Sequence, residues 1–143
     1  ITPLPEWIDS PEGATSPLRK TYPLQLIGHH YKQRTHSTYG NCSWLQEVAP
    51  QELWINTLDA AARGIQLGDK VKVFNDRGVS LVRAKVTPRI MPGVVSLPEG
   101  AWHTPNTQGE DTNGCVNVLT LLLPTALAKG NPHHSNLVEV TKA

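Results

Sequence analysis

The alternation of apolar and polar residues along the chain predicts short strands joined by turns. The segment KVKVFND at positions 70–76 alternates lysine with apolar residues, as a half-buried strand does. After an Arg77-Gly78 hairpin turn, VSLVRAKVT at positions 79–87 is predicted to return as its partner strand. Apolar runs that favour further strands lie at 24–27, 52–57, within 89–98 and at 137–141. The pattern therefore indicates a mainly β domain.

Short helices are predicted between these strands. Residues 44–48 favour a helical turn that ends before Pro50, and Asp59 is predicted to cap a helix with the sequence DAAAR. Gly64 is expected to end that helix in the left-handed conformation, which glycine adopts without strain. The run from Leu119 to Leu123 is expected to be a helical turn or a buried apolar segment.

The first 21 residues differ in character from the rest. They contain four prolines and show little periodicity, so residues 1–21 are predicted to be an extended linker lying on a partner domain, with Trp7 and Ile8 as anchors. The chain starts without Met or a signal peptide, and this start resembles a cut within a longer polypeptide. Residues 22–143 are then predicted to form one domain with its own core.

Composition and charge narrow the functional classes. The 12 prolines and 11 glycines agree with many turns, and a net charge of +1 does not indicate a nucleic-acid partner. The longest apolar run, at 118–123, is far shorter than the roughly 20 residues of a membrane-spanning helix. Cys42 and Cys115 lack the spacing of a metal site or a disulfide framework and are interpreted as free thiols.

Residues 29–38, here called the basic loop, carry the main functional signal. They follow the strand at 24–27 and contain histidine, lysine, arginine and hydroxyl side chains, and no Asp or Glu occurs between Gly13 and Gln46. Arg offers a rigid fork to phosphate oxygens, while His, Ser and Thr supply further donors, so the loop is suited to an anionic ligand. The alternative is a solvated basic loop without a ligand.

Residues 99–117, here called the long loop, form a second candidate. They are nearly free of aliphatic residues, and a loop of this length in a compact domain is usually functional or disordered. Trp102, His103 and Asn117 can meet a planar heterocycle, because an indole packs against it and an amide pairs with its polar edge. The alternative for Trp102 is simple anchoring in the core.

Catalytic and metal motifs are not recognisable in the sequence. The adjacent pairs His29-His30 and His133-His134 point to opposite faces of an extended chain, so no metal site is predicted. GxSxG, P-loop and GxGxxG motifs do not occur. Since carboxylates avoid the segment where histidines and hydroxyls gather, no catalytic residue is predicted either. Binding of an anionic cofactor with an aromatic head is the favoured interpretation.

Four stretches also resemble a known family: PLQLIGHHYKQRTHST, LDAAARGIQLGDKVKVFNDRG, VTPRIMPGVVSLPEGAW, and GCVNVLT with PTALAKGNP. Together they cover about residues 20–142 and are similar to the C-terminal molybdopterin guanine dinucleotide-binding domain of the dimethyl sulfoxide reductase family, in particular that of anaerobic catalytic subunits. The second stretch is the most specific. The resemblance implies a double-psi β-barrel of six strands with crossed connections and a few short helices.

The same resemblance implies a cofactor and the residues that hold it. The cofactor would be bis-molybdopterin guanine dinucleotide, which carries the molybdenum, while any iron–sulfur cluster would belong to parts outside this chain. The cofactor-binding residues that match the family lie in two segments. They are Gly28, His30, Arg34, His36, Ser37 and Thr38 within positions 28–38, and Trp102 and Asn117 on the long loop. Gly28 would let the backbone approach the ligand closely.

The implied activity is anaerobic reduction of dimethyl sulfoxide or a related S- or N-oxide by a parent oxidoreductase, to which this domain contributes binding only. The implied partners are other domains of the same catalytic subunit, an iron–sulfur electron-transfer subunit and a membrane anchor subunit, at the periplasmic face of the bacterial inner membrane. The alternative is a non-catalytic double-psi barrel that covers a partner domain or recognises a partner without a ligand of its own. A barrel of the aspartate decarboxylase kind is excluded because the chain has no Gly-Ser dipeptide.

Overall fold

The computed structural model describes residues 3–131 and 134–143. Its six strands, numbered in chain order, are β1 (Leu24–His29), β2 (Glu52–Ile55), β3 (Lys70–Asn75), β4 (Gly78–Val86), β5 (Val94–Pro98) and β6 (Asn136–Lys142). The helices are α1 (Ser43–Val48), α2 (Thr57–Ala61) and two short 3₁₀ helices, Pro17–Lys20 and Val116–Leu119. All six predicted strands are present, and α1 matches the helical turn predicted before Pro50.

The strands close into a barrel in the order β1-β5-β2-β4-β3-β6. Two pairs are parallel, β1 with β5 and β2 with β4, while the other four neighbouring pairs are antiparallel. Strands adjacent in the barrel are mostly distant in the chain, so the connections cross. The fold is the double-psi β-barrel that the sequence resemblance implied.

The hydrophobic core fills the inside of this barrel. Successive residues of a strand face opposite sides, so every second residue points inward. Full burial of each such aliphatic side chain stabilises the fold by roughly 1.5–3 kcal/mol. The innermost side chains are Leu24, Leu26, Leu53, Ile55, Val71, Val73, Val95, Leu97, Val138 and Val140, all at most 2% exposed.

The cap of helix α2 differs from the prediction. The helix begins at Thr57, so Asn56 is the N-cap, and its Oδ1 accepts a hydrogen bond of 2.8 Å from the amide of Leu58. Asp59 lies inside the first turn, and its carboxylate instead accepts from the amide of Gly93 at 2.8 Å. Asp59 was therefore wrongly predicted as the cap. Gly64 is left-handed, with φ +64°, as predicted.

The run from Leu119 to Leu123, predicted to be a helical turn or a buried apolar segment, is helical and buried only at its start. Leu119 is fully buried at the end of the second 3₁₀ helix, but Leu122 is 88% exposed and Leu123 is also exposed. The chain turns away from the core between them, where the amide of Leu121 donates to Asn136 Oδ1 at 2.8 Å. Within the described ranges, no helix is long and apolar enough to cross a membrane.

Part of the predicted linker packs on the barrel. Glu12 is 2% exposed, and its carboxylate accepts hydrogen bonds from Arg77 and from the amide of Leu137. Arg19 donates to the carbonyl of Pro23. Trp7 and Ile8 are exposed, so they do not anchor the segment to this barrel. The division of the chain after residue 21 stays a prediction.

Candidate functional site

The basic loop and the long loop leave the barrel at the same edge, because the strands before them run parallel. Gly28 pairs with Leu97 and His29 with Pro98, and the carbonyl of His29 accepts from the amide of Glu99 at 3.0 Å. The carboxyl ends of parallel neighbours lie side by side. Both segments that the sequence singled out therefore start next to each other.

Gly28 lies within strand β1, one residue before its end. The strand was predicted at 24–27, but pairing continues to His29, so that boundary was wrong by two residues. The amide of Gly28 donates to Nδ1 of His134 at 3.3 Å. His133, the other member of that histidine pair, lies outside the described residues. The close approach of a ligand to Gly28 stays a prediction.

Glu99 brings a negative charge into the basic loop. Its Oε1 lies 3.1 Å from Nε2 of His30 and 2.8 Å from Nδ1 of His36. The expectation that carboxylates avoid this region was correct along the chain but wrong in space, because β5 carries Glu99 to the end of β1. The carboxylate holds both predicted histidines at one point of the loop.

The contact between the two loops at His36 is close. His36 has a φ of 47°, a left-handed conformation that a residue with a Cβ adopts at a cost. Gly100 has a φ of 86°, and a Cβ at Gly100 would overlap the carbonyl oxygen of His36. Only glycine fits there, so Gly100 allows the two backbones to touch and Glu99 to reach the histidine.

Arg34, predicted to bind phosphate, is already engaged with the protein. Its Nη2 donates to Gln51 Oε1 at 2.8 Å and to the carbonyl of Glu99, and its guanidinium lies 5.5 Å from the centre of the Tyr31 ring. Burial lowers the pKa of Arg34, since it disfavours the charged form. Among the described residues, the buried Nε has no hydrogen-bond partner. Arg34 thus connects the two loops, and its contact with a ligand stays a prediction.

Gln51 was missed by the sequence analysis. Its Oε1 accepts from Arg34, and its side-chain Nε2 donates to the carbonyl of Pro98 at 2.7 Å and to that of Gly114 at 2.8 Å. The side chain therefore ties the basic loop to the end of β5 and to the later part of the long loop. A single glutamine before a strand carries no pattern from which this role can be predicted.

Ser37, Thr38 and Trp102 lie on the outer side of the basic loop. The carbonyl of Ser37 accepts a hydrogen bond of 2.9 Å from the indole Nε1 of Trp102, and the amide of Thr38 donates to the carbonyl of Thr35 at 2.9 Å. Trp102 is 49% exposed, which rules out simple core anchoring. The side chains of Ser37 and Thr38 are exposed and accessible to a ligand.

His29, at the start of the basic loop, is held in a partly buried cluster. Its Nδ1 lies 2.7 Å from Ser96 Oγ, and its ring makes edge contacts with Tyr31 and Trp54 at centroid distances of 5.0 and 5.3 Å. Burial, followed by the positive charge of Arg34, lowers the pKa of His29. The ring is thus favoured in its neutral form.

Asn117 lies in a second, open groove of about 660 Å³, which His103 and Arg77 also line. Ligand sites usually enclose roughly 300–1,000 Å³, so the groove can admit a large group. Arg77 Nε donates to the carbonyl of Leu119 at 3.0 Å and thereby fixes the 3₁₀ helix that carries Asn117. Trp102 lies instead against the basic loop, so the predicted grouping with His103 and Asn117 holds only for the latter two.

The long loop is ordered around one buried carboxylate. Asp111 is fully buried, and its Oδ2 accepts from Ser80 Oγ at 2.8 Å and from the amide of Cys115 at 2.7 Å. Its Oδ1 accepts from the amide of Thr104 at 3.0 Å. These bonds pin the loop to β4 and keep Asn117 in place. Cys115 is buried and Cys42 partly exposed, and within the described residues both are free thiols.

The available side chains fit a ligand with an anionic part and a planar polar part. Lys32, Ser37 and Thr38 present exposed donors on the basic loop, and the imidazole rings of His30 and His36 are largely exposed. Phosphate oxygens accept from such groups. The exposed amide of Asn117 offers both a donor and an acceptor to the edge of a heterocycle. This donor set matches the chemistry of a dinucleotide.

Comparisons with known proteins agree with this chemistry. Residues 24–137 match the family described as "Molydopterin dinucleotide binding domain". The chain is 58% identical over 142 residues to the dimethyl sulfoxide reductase DmsA of Escherichia coli (strain K12), covering 99% of this chain and 17% of that protein. It is 42% identical over 146 residues to the dimethyl sulfoxide/trimethylamine N-oxide reductase of Cereibacter sphaeroides, covering 96% of this chain and 18% of the relative.

A solved structure supports the fold. The acetylene hydratase of Pelobacter acetylenicus superposes with a TM-score of 0.81 at 19% identity, over 99% of this chain and 21% of that one. At this identity the likeness concerns the fold alone. The chain spans less than a fifth of the two reductases above. By its family match and its identity to these reductases, the chain belongs to the molybdopterin dinucleotide-binding domain family.

Proposed function

We propose that this chain binds the guanine nucleotide part of bis-molybdopterin guanine dinucleotide within a molybdenum oxidoreductase. The supporting observation is the basic loop, with its exposed donors fixed at one barrel edge by Glu99 and Gln51, in a chain of this family. The parent enzyme would reduce dimethyl sulfoxide or a related S- or N-oxide in anaerobic respiration. The names of the relatives, which include reductases of both kinds of oxide, support this substrate class.

The residues divide the binding between two places. The exposed donors of Lys32, Ser37 and Thr38 would hold phosphate oxygens, with the outer edges of His30 and His36 beside them. Asn117 and His103 would receive the guanine in their groove, since an amide complements the donor and acceptor edge of a purine. The molybdenum carried by the bound cofactor supplies oxygen-atom transfer, and the protein supplies binding and orientation.

The assembly and location of the parent enzyme are further proposals that rest on the sequence resemblance. Other domains of the same catalytic subunit would enclose the rest of the cofactor, an iron–sulfur subunit would deliver electrons and an anchor subunit would hold the complex at the periplasmic face of the inner membrane. Fractionation of cells that produce the tagged parent protein tests this arrangement. Recovery in the cytoplasm without membrane-bound partners would contradict it.

Titration of the isotope-labelled chain with GDP and, separately, with ADP tests the binding site. Both nucleotides carry the same phosphates, so both should shift amide signals of the basic loop. Only GDP should shift the signals around Asn117. The Lys32→Ala variant should weaken both titrations, whereas Lys20→Ala removes an exposed lysine at the opposite end of β1 and should leave them unchanged.

The parent enzyme provides the decisive comparison. Its Asn117→Ala variant should contain less bound guanine nucleotide per molecule after purification than the unaltered enzyme. If the chain shows no shifts at millimolar GDP and the parent variant keeps its full guanine content, the proposal is wrong. The barrel would then serve as a cover for its partner domain without a ligand of its own.

A further inference from the structure

We propose that His30, His36 and Glu99 form a binding site for a divalent cation of the zinc type. Their potential ligand atoms, one from each residue, lie within 4.8 Å of one another. Imidazole nitrogen and carboxylate oxygen are the ligand types of open zinc sites with two histidines and one carboxylate. No metal ligands were predicted from the sequence, because these residues lie on two distant segments and follow no spacing motif.

The distances fit a cation with a small adjustment. Oε1 of Glu99 lies 2.8 Å from Nδ1 of His36 and 3.1 Å from Nε2 of His30. Ligand atoms around tetrahedral zinc, each about 2.0–2.2 Å from the metal, lie about 3.3–3.5 Å from one another. The two distances from the carboxylate to the histidines therefore need to lengthen by about 0.2–0.7 Å, and the third distance, between the two histidine nitrogens, already lies within 4.8 Å. The two imidazole rings meet at 68° with centroids 5.4 Å apart, so they converge on the carboxylate rather than stack.

The backbone already holds two of the three ligands, Glu99 and His36, in place. The amide and carbonyl of Glu99 are hydrogen-bonded to His29 and Arg34, and the left-handed backbone of His36 rests against Gly100. Glu99 is 13% exposed, whereas the side chains of His30 and His36 are 60% and 73% exposed. A cation would thus have an anchored carboxylate behind it and open coordination positions toward solvent. That arrangement is typical of sites that keep a water ligand.

The competing interpretation is that the carboxylate only accepts hydrogen bonds from the two histidines. Metal titration separates the two, because hydrogen bonding alone gives no saturable uptake of a cation. The test uses no nucleotide, and its result is therefore independent of the proposed cofactor function.

Calorimetric titration of the chelator-treated chain with zinc chloride near pH 7 tests the site. One zinc ion per chain is expected. Glu99→Gln and His36→Gln should each weaken binding at least about tenfold, because even the loss of an outer partner of a metal ligand typically costs 10–100-fold. His103→Gln removes an exposed histidine outside the cluster and should keep full affinity. Cobalt should give the visible absorption of a low-coordinate site in the unaltered chain and not in Glu99→Gln.

Amide spectra show whether each variant keeps the fold, and His30→Gln replaces His36→Gln if the latter disturbs the loop. Absence of saturable binding to the unaltered chain overturns the proposal. So does full zinc affinity in folded Glu99→Gln. Loss of binding in His134→Gln together with retention in Glu99→Gln would place the cation elsewhere and overturn it as well.

Discussion

Glu12 and Arg77 are 65 positions apart in the sequence and form a bidentate ion pair, with Nη1–Oε1 and Nη2–Oε2 distances of 2.6 and 3.0 Å. The carboxylate is almost fully buried, and it also accepts from the amide of Leu137 in β6. The segment before the barrel is thereby joined to the β3–β4 hairpin turn and to the final strand.

Replacing Glu12 by alanine should strongly destabilise the chain. The change leaves the Arg77 guanidinium and the Leu137 amide without their acceptor, and breaking a buried pair costs about 3–5 kcal/mol. Because Arg77 is partly exposed, the lower end is expected. Urea unfolding followed by circular dichroism measures the free energy of unfolding. Glu110→Ala, which removes a surface partner of Lys72, is the matched control and should change stability little; equal losses in both would contradict the role of Glu12.

Gly100→Ala should destabilise the fold more than the same change at Gly64. Both glycines have a left-handed backbone, so backbone strain lowers the stability of each alanine variant by about 1–2 kcal/mol. At Gly64 nothing lies within 4 Å of the added Cβ, whereas at Gly100 it overlaps the carbonyl of His36. Overpacking should add roughly 1–3 kcal/mol.

Amide spectra provide a second measurement on the two glycine variants. Gly100→Ala should shift signals of the basic loop, whereas Gly64→Ala should leave that loop unchanged. Equal stability of the two variants would show that the loops move apart at Gly100 and His36 without cost and would contradict the prediction.

His29 should make the fold less stable as the pH falls below about 6.5, the ordinary pKa of histidine. Burial lowers its pKa in the folded chain, with Arg34, His30 and Lys85 adding positive charge nearby. Between the folded and unfolded pKa values the unfolded chain binds more protons, so acid favours unfolding. Above about pH 6.5 both states are neutral at this residue and the stability is fully present.

The free energy of unfolding, measured by urea titration at several pH values from 7.5 to 5, tests this dependence. In His29→Gln the decline toward acid should be shallower than in the unaltered chain, whatever the absolute stability of the variant. Identical slopes for the two chains would mean that His29 does not contribute.

The strands were predictable because their signal is local. β3 and β4 alternate apolar and polar residues on either side of a tight turn, and their pairing follows from adjacency in the chain. The parallel pairing of β1 with β5 joins segments about 70 positions apart, which alternation cannot reveal. The crossed barrel order was reached through resemblance to a family, and the meeting of Glu99 with the basic loop depends on that order.

The roles of single charged residues were the least predictable part of the site. Arg34 was predicted as a phosphate ligand from its residue type, yet its Nη2 lies against Gln51 and the Glu99 carbonyl. A guanidinium can serve a ligand or a backbone carbonyl equally well, and only the surrounding acceptors decide between them. The role of Glu12 was equally unpredictable, because its burial depends on Arg77, which lies far along the chain.

The two thiols should react at very different rates in the folded chain. Cys115 is buried behind the Asp111 carboxylate, and burial raises its pKa, so little thiolate forms and reagents reach it poorly. Cys42 is partly exposed at the start of α1. Iodoacetamide under native conditions should therefore modify Cys42 first, as peptide mass spectrometry at successive times would show, and the difference should disappear in urea. Equal native rates would mean that the long loop opens readily, and the groove at Asn117 would then lack the fixed wall on which guanine binding depends.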